Sequence, residues 1–173
     1  MDIFVEQMVK KKRGIHELLI VLASVVGIFA VLFALTFALM LPGIGFVIFA
    51  VCVILLYLLY FLVTTINMEY EYCFTNGSLD VDQIINARRR KKMTEINVRK
   101  MELMGDRNCP EFQKYMGNTG VKKLYACTHK DAEDLCFLVF LDMDGKEKML
   151  LFNPNEKIKD GIRRYNPQKV VVS

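Results

Sequence analysis

Residues 18–68 read LLIVLASVVGIFAVLFALTFALMLPGIGFVIFAVCVILLYLLYFLVTTINM and contain no Lys, Arg, Asp or Glu. A Pro-Gly pair at 42–43 interrupts this run near its middle. At about 1.5 Å per residue, each half is long enough to cross a hydrocarbon core about 30 Å thick. A buried hairpin of a soluble protein would need two unusually long helices that are apolar on every face. The sequence therefore predicts a transmembrane hairpin at residues 18–66, with helices at 18–41 and 44–66.

The placement of the basic residues predicts the orientation of this hairpin. The chain has 173 residues and a formal charge of +4, but the turn between the two helices carries no charge. Because cytoplasmic loops of membrane proteins are enriched in Lys and Arg, both termini are predicted to be cytoplasmic. A signal peptide is the alternative, but the first apolar run is too long and a second one follows at once. The flanking residues are Lys10, Lys11, Lys12 and Arg13 before the hairpin and Arg88, Arg89, Arg90, Lys91 and Lys92 after it.

Residues 1–17 form a basic segment ahead of the hairpin. Phe4, Val5, Met8 and Val9 fall on one face of a helical wheel, opposite most of the polar residues. This pattern is typical of a short interfacial helix whose basic end meets anionic headgroups. A frayed tail with stop-transfer lysines explains the same residues.

Residues 68–173 follow without a flexible linker and have the pattern of a β-domain. Aromatic residues alternate over 70–74, as they do in a strand. The Asn-Gly pair at 76–77 and the Asp-Gly pair at 144–145 are typical of tight hairpin turns. A less regular insert at 105–120 contains one possible helical turn. We expect strands at 68–74, 78–85, 91–96, 98–104, 121–128, 135–142 and 146–152.

The last local signal is an amphipathic helix at residues 154–165. Asn153 can cap it, Pro154 suits its first position and Glu156 completes a capping box. The Asn-Pro pair at 166–167 ends the helix. Three residues at i, i+4 and i+7 mark the face that we expect to pack on the sheet. They are Ile158, Ile162 and Tyr165.

Seven strands followed by one amphipathic helix are the element order of the pleckstrin-homology (PH) superfold. Residues 72–79, YCFTNGSL, resemble the first hairpin of bacterial PH-like domains, which often follow a pair of membrane helices. The resemblance implies a membrane α-hairpin plus an α+β, mainly-β domain of about seven antiparallel strands and a C-terminal helix. It also implies a multi-pass protein of the bacterial inner membrane with the domain in the cytoplasm.

For function the resemblance implies little, because one superfold hosts lipid binding, peptide binding and scaffolding. PH domains that bind phosphoinositides usually carry basic residues around the first hairpin loop. In this chain that loop, residues 75–77, has the sequence TNG and no basic residue. The resemblance therefore gives no support for specific recognition of an inositol phosphate.

No constellation in the sequence identifies a reaction. The five cysteines are dispersed, without a C-x-x-C pair or a histidine at ligand spacing. A nucleophile with its base, or a phosphate-binding glycine loop, is also missing. We therefore predict a protein that is not an enzyme, with no cofactor, no metal site and no small-molecule substrate. Nucleic acid is not expected as a partner, because no aromatic residues are interleaved with the basic run.

The basic run at 88–92, together with residues 10–13, is the candidate functional site. Adjacent cations gain about 1 kcal/mol each near an anionic leaflet, whereas a solvated loop that only fixes topology explains the same residues. Our leading hypothesis is a membrane-anchored, non-catalytic binding or scaffold protein. Its partner would be another protein or a second copy, at a strand edge or beside the C-terminal helix. The alternatives are an anionic-lipid sensor acting through residues 88–92 and an accessory subunit of a larger membrane complex.

Overall fold

The protein is described here by a computed structural model that covers residues 3–12, 14–38, 40, 43–65, 67–142 and 144–171. The chain forms two compact units. The first consists of Met1–Lys12 together with Met68–Ser173, and the second of Arg13–Asn67. The apolar segment is therefore an insertion within the β-domain and does not precede it.

The inserted unit contains two helices, α1 at Ile15–Ala38 and α2 at Gly45–Thr65. Within them, Leu18–Phe37 and Gly45–Thr64 each have a mean hydropathy of 3.0. Both helices are long and apolar enough to cross a membrane, as the sequence predicts. The exact ends of the predicted helices and their Pro-Gly turn fall partly on residues 39, 41, 42 and 66, which lie outside the described residues.

The two helices contact each other through small residues. A Cβ atom added to Gly27 would lie 3.3 Å from Leu59 Cδ1, so the glycine allows α2 to approach closely. Ser24 and Cys52 are also buried, and Ser24 Oγ donates a hydrogen bond to the Ile20 carbonyl at 2.7 Å. The contact leaves most of the large apolar side chains of both helices exposed in the isolated chain.

The first sheet of the domain is antiparallel throughout and has the order β1-β2-β3-β4. Its two outermost strands are β1 and β4, and the apolar unit is inserted between β1 and β2. The turn at Asn76 and Gly77, with φ values of 48° and 94°, is the expected tight hairpin turn. The strands are β1 at Phe4–Lys10, β2 at Met68–Thr75, β3 at Ser78–Ile85 and β4 at Arg89–Asn97.

Strand β1 contradicts the interfacial helix and the frayed tail predicted for the N-terminal segment. Seven residues, Phe4–Lys10, pair in register with Glu69–Thr75 of β2. The Gln7 side chain donates to the Asn153 carbonyl at 2.9 Å and accepts from the Asn155 N–H at 2.7 Å. The apolar pattern of this segment is compatible with the period of a helix and with that of a strand. The partner strand β2, which decides between the two, is remote in sequence. The domain therefore includes residues 3–12 and does not begin at Met68.

The second sheet has the order β6-β8-β7-β5-β9 and is mixed. The β5–β9 and β6–β8 pairs are parallel, whereas β5–β7 and β7–β8 are antiparallel. The described residues thus form nine strands in two sheets, and the predicted single set of about seven antiparallel strands is wrong. The additional strands are β1 and β9, each supplied by one end of the chain. The second sheet contains β5 at Leu103–Asp106, β6 at Lys122–Ala126, β7 at Cys136–Leu141, β8 at Glu147–Phe152 and β9 at Val170–Val171.

Two further helices belong to the domain, α3 at Pro110–Gly117 and α4 at Glu156–Tyr165. Helix α4 begins two residues later than predicted, because Asn155 is its cap and accepts from the Ile158 N–H at 2.9 Å. Asn153 instead accepts a hydrogen bond from the Thr128 N–H at 2.8 Å and so fixes a loop of the second sheet.

The buried face of α4 is the one that the sequence predicts. Ile158 and Ile162 are fully buried, and Tyr165 stacks edge-on against Phe74 with ring centroids 5.9 Å apart. A Cβ atom added to Gly161 would lie only 2.7 Å from the Phe74 ring. The helix therefore lies directly against the first sheet.

The predicted strand at 98–104 is only partly correct. Val98–Lys100 forms a short 3₁₀ helix, and β5 begins at Leu103. The cause is local, because the Asn97 side chain accepts from the Arg99 N–H at 3.1 Å and turns the chain.

Candidate functional site

The two basic segments of the sequence lie at one end of the first sheet. Lys10 on β1 is opposite Glu69 on β2. Glu69 is opposite Ile84 on β3, and Ile84 is opposite Arg90 on β4. The chain also leaves the domain for α1 and returns from α2 at this end. We call it the basic end, comprising Lys10, Lys11, Lys12, Arg88, Arg89, Arg90, Lys91 and Lys92. Arg13, the remaining predicted site residue, lies outside the described residues.

A tight turn presents the basic run. Asn86 and Ala87 have φ values of 53° and 52°, and the Arg88 N–H donates to the Ile85 carbonyl at 3.2 Å. Two consecutive left-handed residues are the geometry of a type I′ hairpin turn. Strand β4 then begins at once, two residues earlier than predicted. Most of the run is therefore a strand, in which successive side chains point to opposite faces of the sheet.

Strand alternation turns Arg90 toward the outer face of the sheet, away from the core. Its Nη2 atom lies 2.5 Å from Glu71 Oε2, and its Nη1 atom lies 3.9 Å from Asp82 Oδ2. Glu71 is on β2 and Asp82 on β3, so one guanidinium joins three strands. The charge of Arg90 is thus compensated within the sheet.

Lys92 lies on the same outer face and is compensated in the same way. Its Nζ atom lies 3.1 Å from Asp80 Oδ1 and 2.7 Å from Glu95 Oε2. Hydrogen bonds with Glu95 and Asp80 raise the pKa of Lys92. Two of the five cations in the run therefore have a structural role in the sheet.

The remaining three cations of the run are uncompensated. Arg88, Arg89 and Lys91 are exposed, and none has an acidic partner among the described residues. Arg89 and Lys91 are opposite Ile85 and Gln83, which places them on the core-facing side of β4, beyond the buried core. The basic run at 88–92 therefore contains two cations in ion pairs and three that are exposed without an acidic partner among the described residues.

A loop of the second sheet adds one further basic residue, Lys130, that the sequence alone does not place beside the basic end. The Lys12 N–H donates to the Thr128 carbonyl at 2.9 Å, which joins this loop to the end of β1. Burial raises the pKa of the nearby Cys127 thiol, while the positive charges of Lys130 and Lys11 oppose this shift. Lys130 also lies 4.9 Å from the centre of the Tyr125 ring. Nothing in the local sequence indicates that Lys130 approaches residues 10–12, because tertiary pairing brings them together.

The basic end extends across all four strands of the first sheet. The Lys11 N–H donates to the Met68 carbonyl at 3.0 Å, and Met68 is opposite Ile85, which is opposite Arg89. Three strand spacings therefore separate Lys11 from Arg89, or about 14 Å. A single phosphate is too small to contact both sides of such a surface. The arrangement suits an extended anionic surface.

Acidic side chains and cysteines are the other chemistry-bearing groups among the described residues. Within the part of the chain that the structure describes, no group of three or more His, Cys, Asp or Glu side chains could hold a metal ion. The five cysteines are free, and Cys136 Sγ donates to Asp106 Oδ1 at 3.1 Å. Burial, followed by the hydrogen bond with Asp106, raises the pKa of the Cys136 thiol, so it is a poor nucleophile.

The chain was compared with known families, curated proteins and solved structures. The family described as Bacterial PH-like domain (DUF6106) matches residues 1–172. No curated protein and no solved structure matches the chain. The family match includes β1 and the inserted helices as well as the C-terminal helix, which agrees with a domain built from both ends of the chain. The chain therefore belongs to the bacterial PH-like domain family.

Proposed function

We propose that this protein is a non-catalytic, membrane-anchored PH-like domain whose basic end contacts anionic headgroups at the cytoplasmic face of the bacterial inner membrane. One observation carries the proposal. The sheet brings both basic segments to the end at which the chain leaves for its two apolar helices. Of the hypotheses drawn from the sequence, this arrangement favours the anionic-lipid surface.

Short connections between the domain and the two apolar helices support this assignment. Only Arg13 and Gly14 separate Lys12 from α1, and only Ile66 and Asn67 separate α2 from β2. Two residues extend the chain by at most about 10 Å between the flanking positions. With α1 and α2 in a bilayer, the basic end is therefore held close to the headgroups.

Charge supplies the driving force. Each cation near an anionic leaflet contributes about 1 kcal/mol, so Arg88, Arg89 and Lys91 together contribute about 3 kcal/mol. That amount corresponds to roughly a hundredfold change in the docking equilibrium. Because the attraction is screened, we expect docking to weaken as ionic strength rises.

Docking can be measured with the full-length protein in lipid nanodiscs. The intact chain is needed because residues 3–12 supply a strand of the domain. The sequence contains no tryptophan, so a His129→Trp substitution introduces a single reporter on the loop beside the basic end. Quenching of its fluorescence by brominated lipids reports contact with the bilayer. The test variant is Arg88→Gln/Arg89→Gln/Lys91→Gln.

A matched control removes three exposed cations elsewhere, in the variant Lys100→Gln/Lys114→Gln/Lys122→Gln. We expect anionic nanodiscs to quench the reporter in the control variant as in the parent protein. The test variant should lose most of the quenching. Neutral nanodiscs should cause little quenching in the parent protein or in either variant. Equal loss in both variants would show a non-specific effect of net charge and would contradict the proposed site.

A protein partner is the second candidate, and a specific groove favours it. The groove has a volume of about 980 Å³ and runs along the outer edge of β4 toward the end of β7. Exposed Leu141 lines it together with Phe140, Met93 and Ile96. The other lining residues are polar or charged. An edge strand beside a groove with an apolar patch suits an extended peptide, including one from a larger membrane complex. Leu141→Asp should then abolish co-purification of a stoichiometric partner without changing lipid docking.

A further inference from the structure

The outer face of the first sheet contains a buried carboxylate next to the basic end. Glu71 on β2 is only 7% exposed, although it lies on the solvent side of the sheet. Its partner Arg90 is 60% exposed at the side chain. The ion pair therefore joins a nearly dry carboxylate to a cation that already faces water.

A second carboxyl group contacts Glu71 from the neighbouring strand. Glu6 on β1 is opposite Cys73 and is thus diagonal to Glu71 across the β1–β2 pair. Burial raises the pKa of Glu71, the hydrogen bond with Glu6 raises it further, and Arg90 opposes both effects. Two carboxyl groups that hydrogen-bond to each other need a proton between them, because two carboxylates have only acceptors.

The charged neighbours of Glu71 come from all four strands of the sheet. Acidic Asp82 also raises the pKa of Glu71 and lies 3.9 Å from Arg90. The ion pair of Lys10 with Glu69, at 3.3 Å, and the Lys92 cluster lie farther along the same face. The titratable and charged groups on this face are Glu6 and Lys10 on β1, Glu69, Glu71 and Cys73 on β2, Asp80 and Asp82 on β3, and Arg90, Lys92 and Glu95 on β4.

We propose that Glu6, Glu71 and Arg90 form a proton-sensitive latch that controls how much positive charge the basic end presents to the membrane. When the carboxyl pair shares one proton, its remaining negative charge holds and neutralises Arg90. When the pair takes up a second proton, Arg90 loses its nearest counter-charge and adds to Arg88, Arg89 and Lys91. The latch rests on the proposed docking function and assigns a regulation to the same surface.

The direction of the response follows from the charges. Acidification completes the protonation of the Glu6–Glu71 pair and increases the net positive charge at the basic end by one. One added charge near an anionic leaflet shifts the docked fraction by about fivefold. Docking to anionic nanodiscs should therefore strengthen as the pH falls through the raised pKa of Glu71.

The test uses the full-length His129→Trp protein in anionic nanodiscs, with docking followed against pH. This background also removes His129, the histidine on the loop beside the basic end. Glu71→Gln has no titrating group, so it should dock strongly at neutral pH and lose the pH response. Glu147→Gln, the same chemical change on β8, should respond to pH like the parent protein. Glu6→Gln removes the carboxyl pair and should move the midpoint of the response to lower pH.

The possible results separate the two proposals. If the parent protein does not dock at any pH, the proposed function and the latch are both wrong. If it docks but Glu71→Gln retains the same pH response, the latch is wrong and the docking function stands. A Glu6→Gln midpoint identical to that of the parent protein would also overturn the latch, even if Glu71→Gln failed to fold.

Discussion

At the scale of single residues, partners decide the role of each charge in the basic run. Arg90 and Lys92 have carboxylates within 3.1 Å, whereas Arg88, Arg89 and Lys91 have none among the described residues. The sequence could predict the cluster but not this division, because the partners Glu71 and Asp80 belong to other strands. Only the pairing register of the strands shows which cations have a carboxylate partner.

The burial of Glu71 predicts a pH-dependent stability. Its folded-state pKa is raised above the unfolded value, so the folded domain binds the proton more tightly than the unfolded chain. Stability should therefore fall as the pH rises from about 4.5 through the folded-state pKa. Glu71→Gln should flatten this dependence in denaturant titrations at several pH values. An unchanged slope would show that Glu71 titrates normally in the folded protein.

The close contact at Gly161 predicts that one added methyl group destabilises the domain strongly. An added Cβ would approach the Phe74 ring to 2.7 Å, so Gly161→Ala should destabilise the domain by about 1–3 kcal/mol. Gly117, also helical, has nothing within 4 Å of its added Cβ. Gly117→Ala should therefore be neutral or slightly stabilising in the same denaturant titration. Equal effects of the two substitutions would contradict the close packing of α4 on β2.

At the scale of elements, β1 is the main difference between the sequence analysis and the structure. Local signals were sufficient for β2, β3, β7, β8 and α4, whose apolar patterns and turn residues lie within or beside each element. They were insufficient for β1 and β9, because an edge strand at a chain end is specified by its partner. The apolar insertion between β1 and β2 hides that partnership in the linear sequence.

Gln7 provides a test of β1 as a strand of the domain. Its amide satisfies the Asn153 carbonyl and the Asn155 N–H, so Gln7→Ala leaves two partly buried backbone groups without this partner. We expect a loss of about 1–3 kcal/mol and faster hydrogen exchange at the β2 amides. Met8→Ala, on the exposed face of β1, should change stability by less than about 0.5 kcal/mol. An interfacial helix would give the opposite order, with Met8 more sensitive than Gln7.

At the scale of the whole molecule, the insertion constrains membrane topology. The Lys11 N–H bonds to the Met68 carbonyl, so the two ends of the inserted segment meet within the domain. A membrane hairpin that starts and ends at one place must return to the side from which it came. Both termini are therefore expected on the same side, in agreement with the charge distribution.

Cysteine labelling in intact cells tests this topology. Met40, between the two helices, is 79% exposed. An impermeant maleimide should label Met40→Cys from outside the inner membrane and should leave Ser173→Cys unlabelled until the membrane is opened. Labelling of both positions from outside, or of Ser173→Cys alone, would contradict a hairpin with cytoplasmic termini.

The most direct test of the account is to measure which end of the first sheet faces the bilayer. The turn at 86–88 and the turn at 76–77 lie at opposite ends of the eight-residue strand β3, about 25 Å apart. Gadolinium-bearing headgroups in anionic nanodiscs should broaden the amide NMR signals of 86–88 and of Lys130, and should leave those of 76–77 sharp. Broadening of 76–77 alone, or of neither turn, would contradict a basic end that contacts the membrane surface.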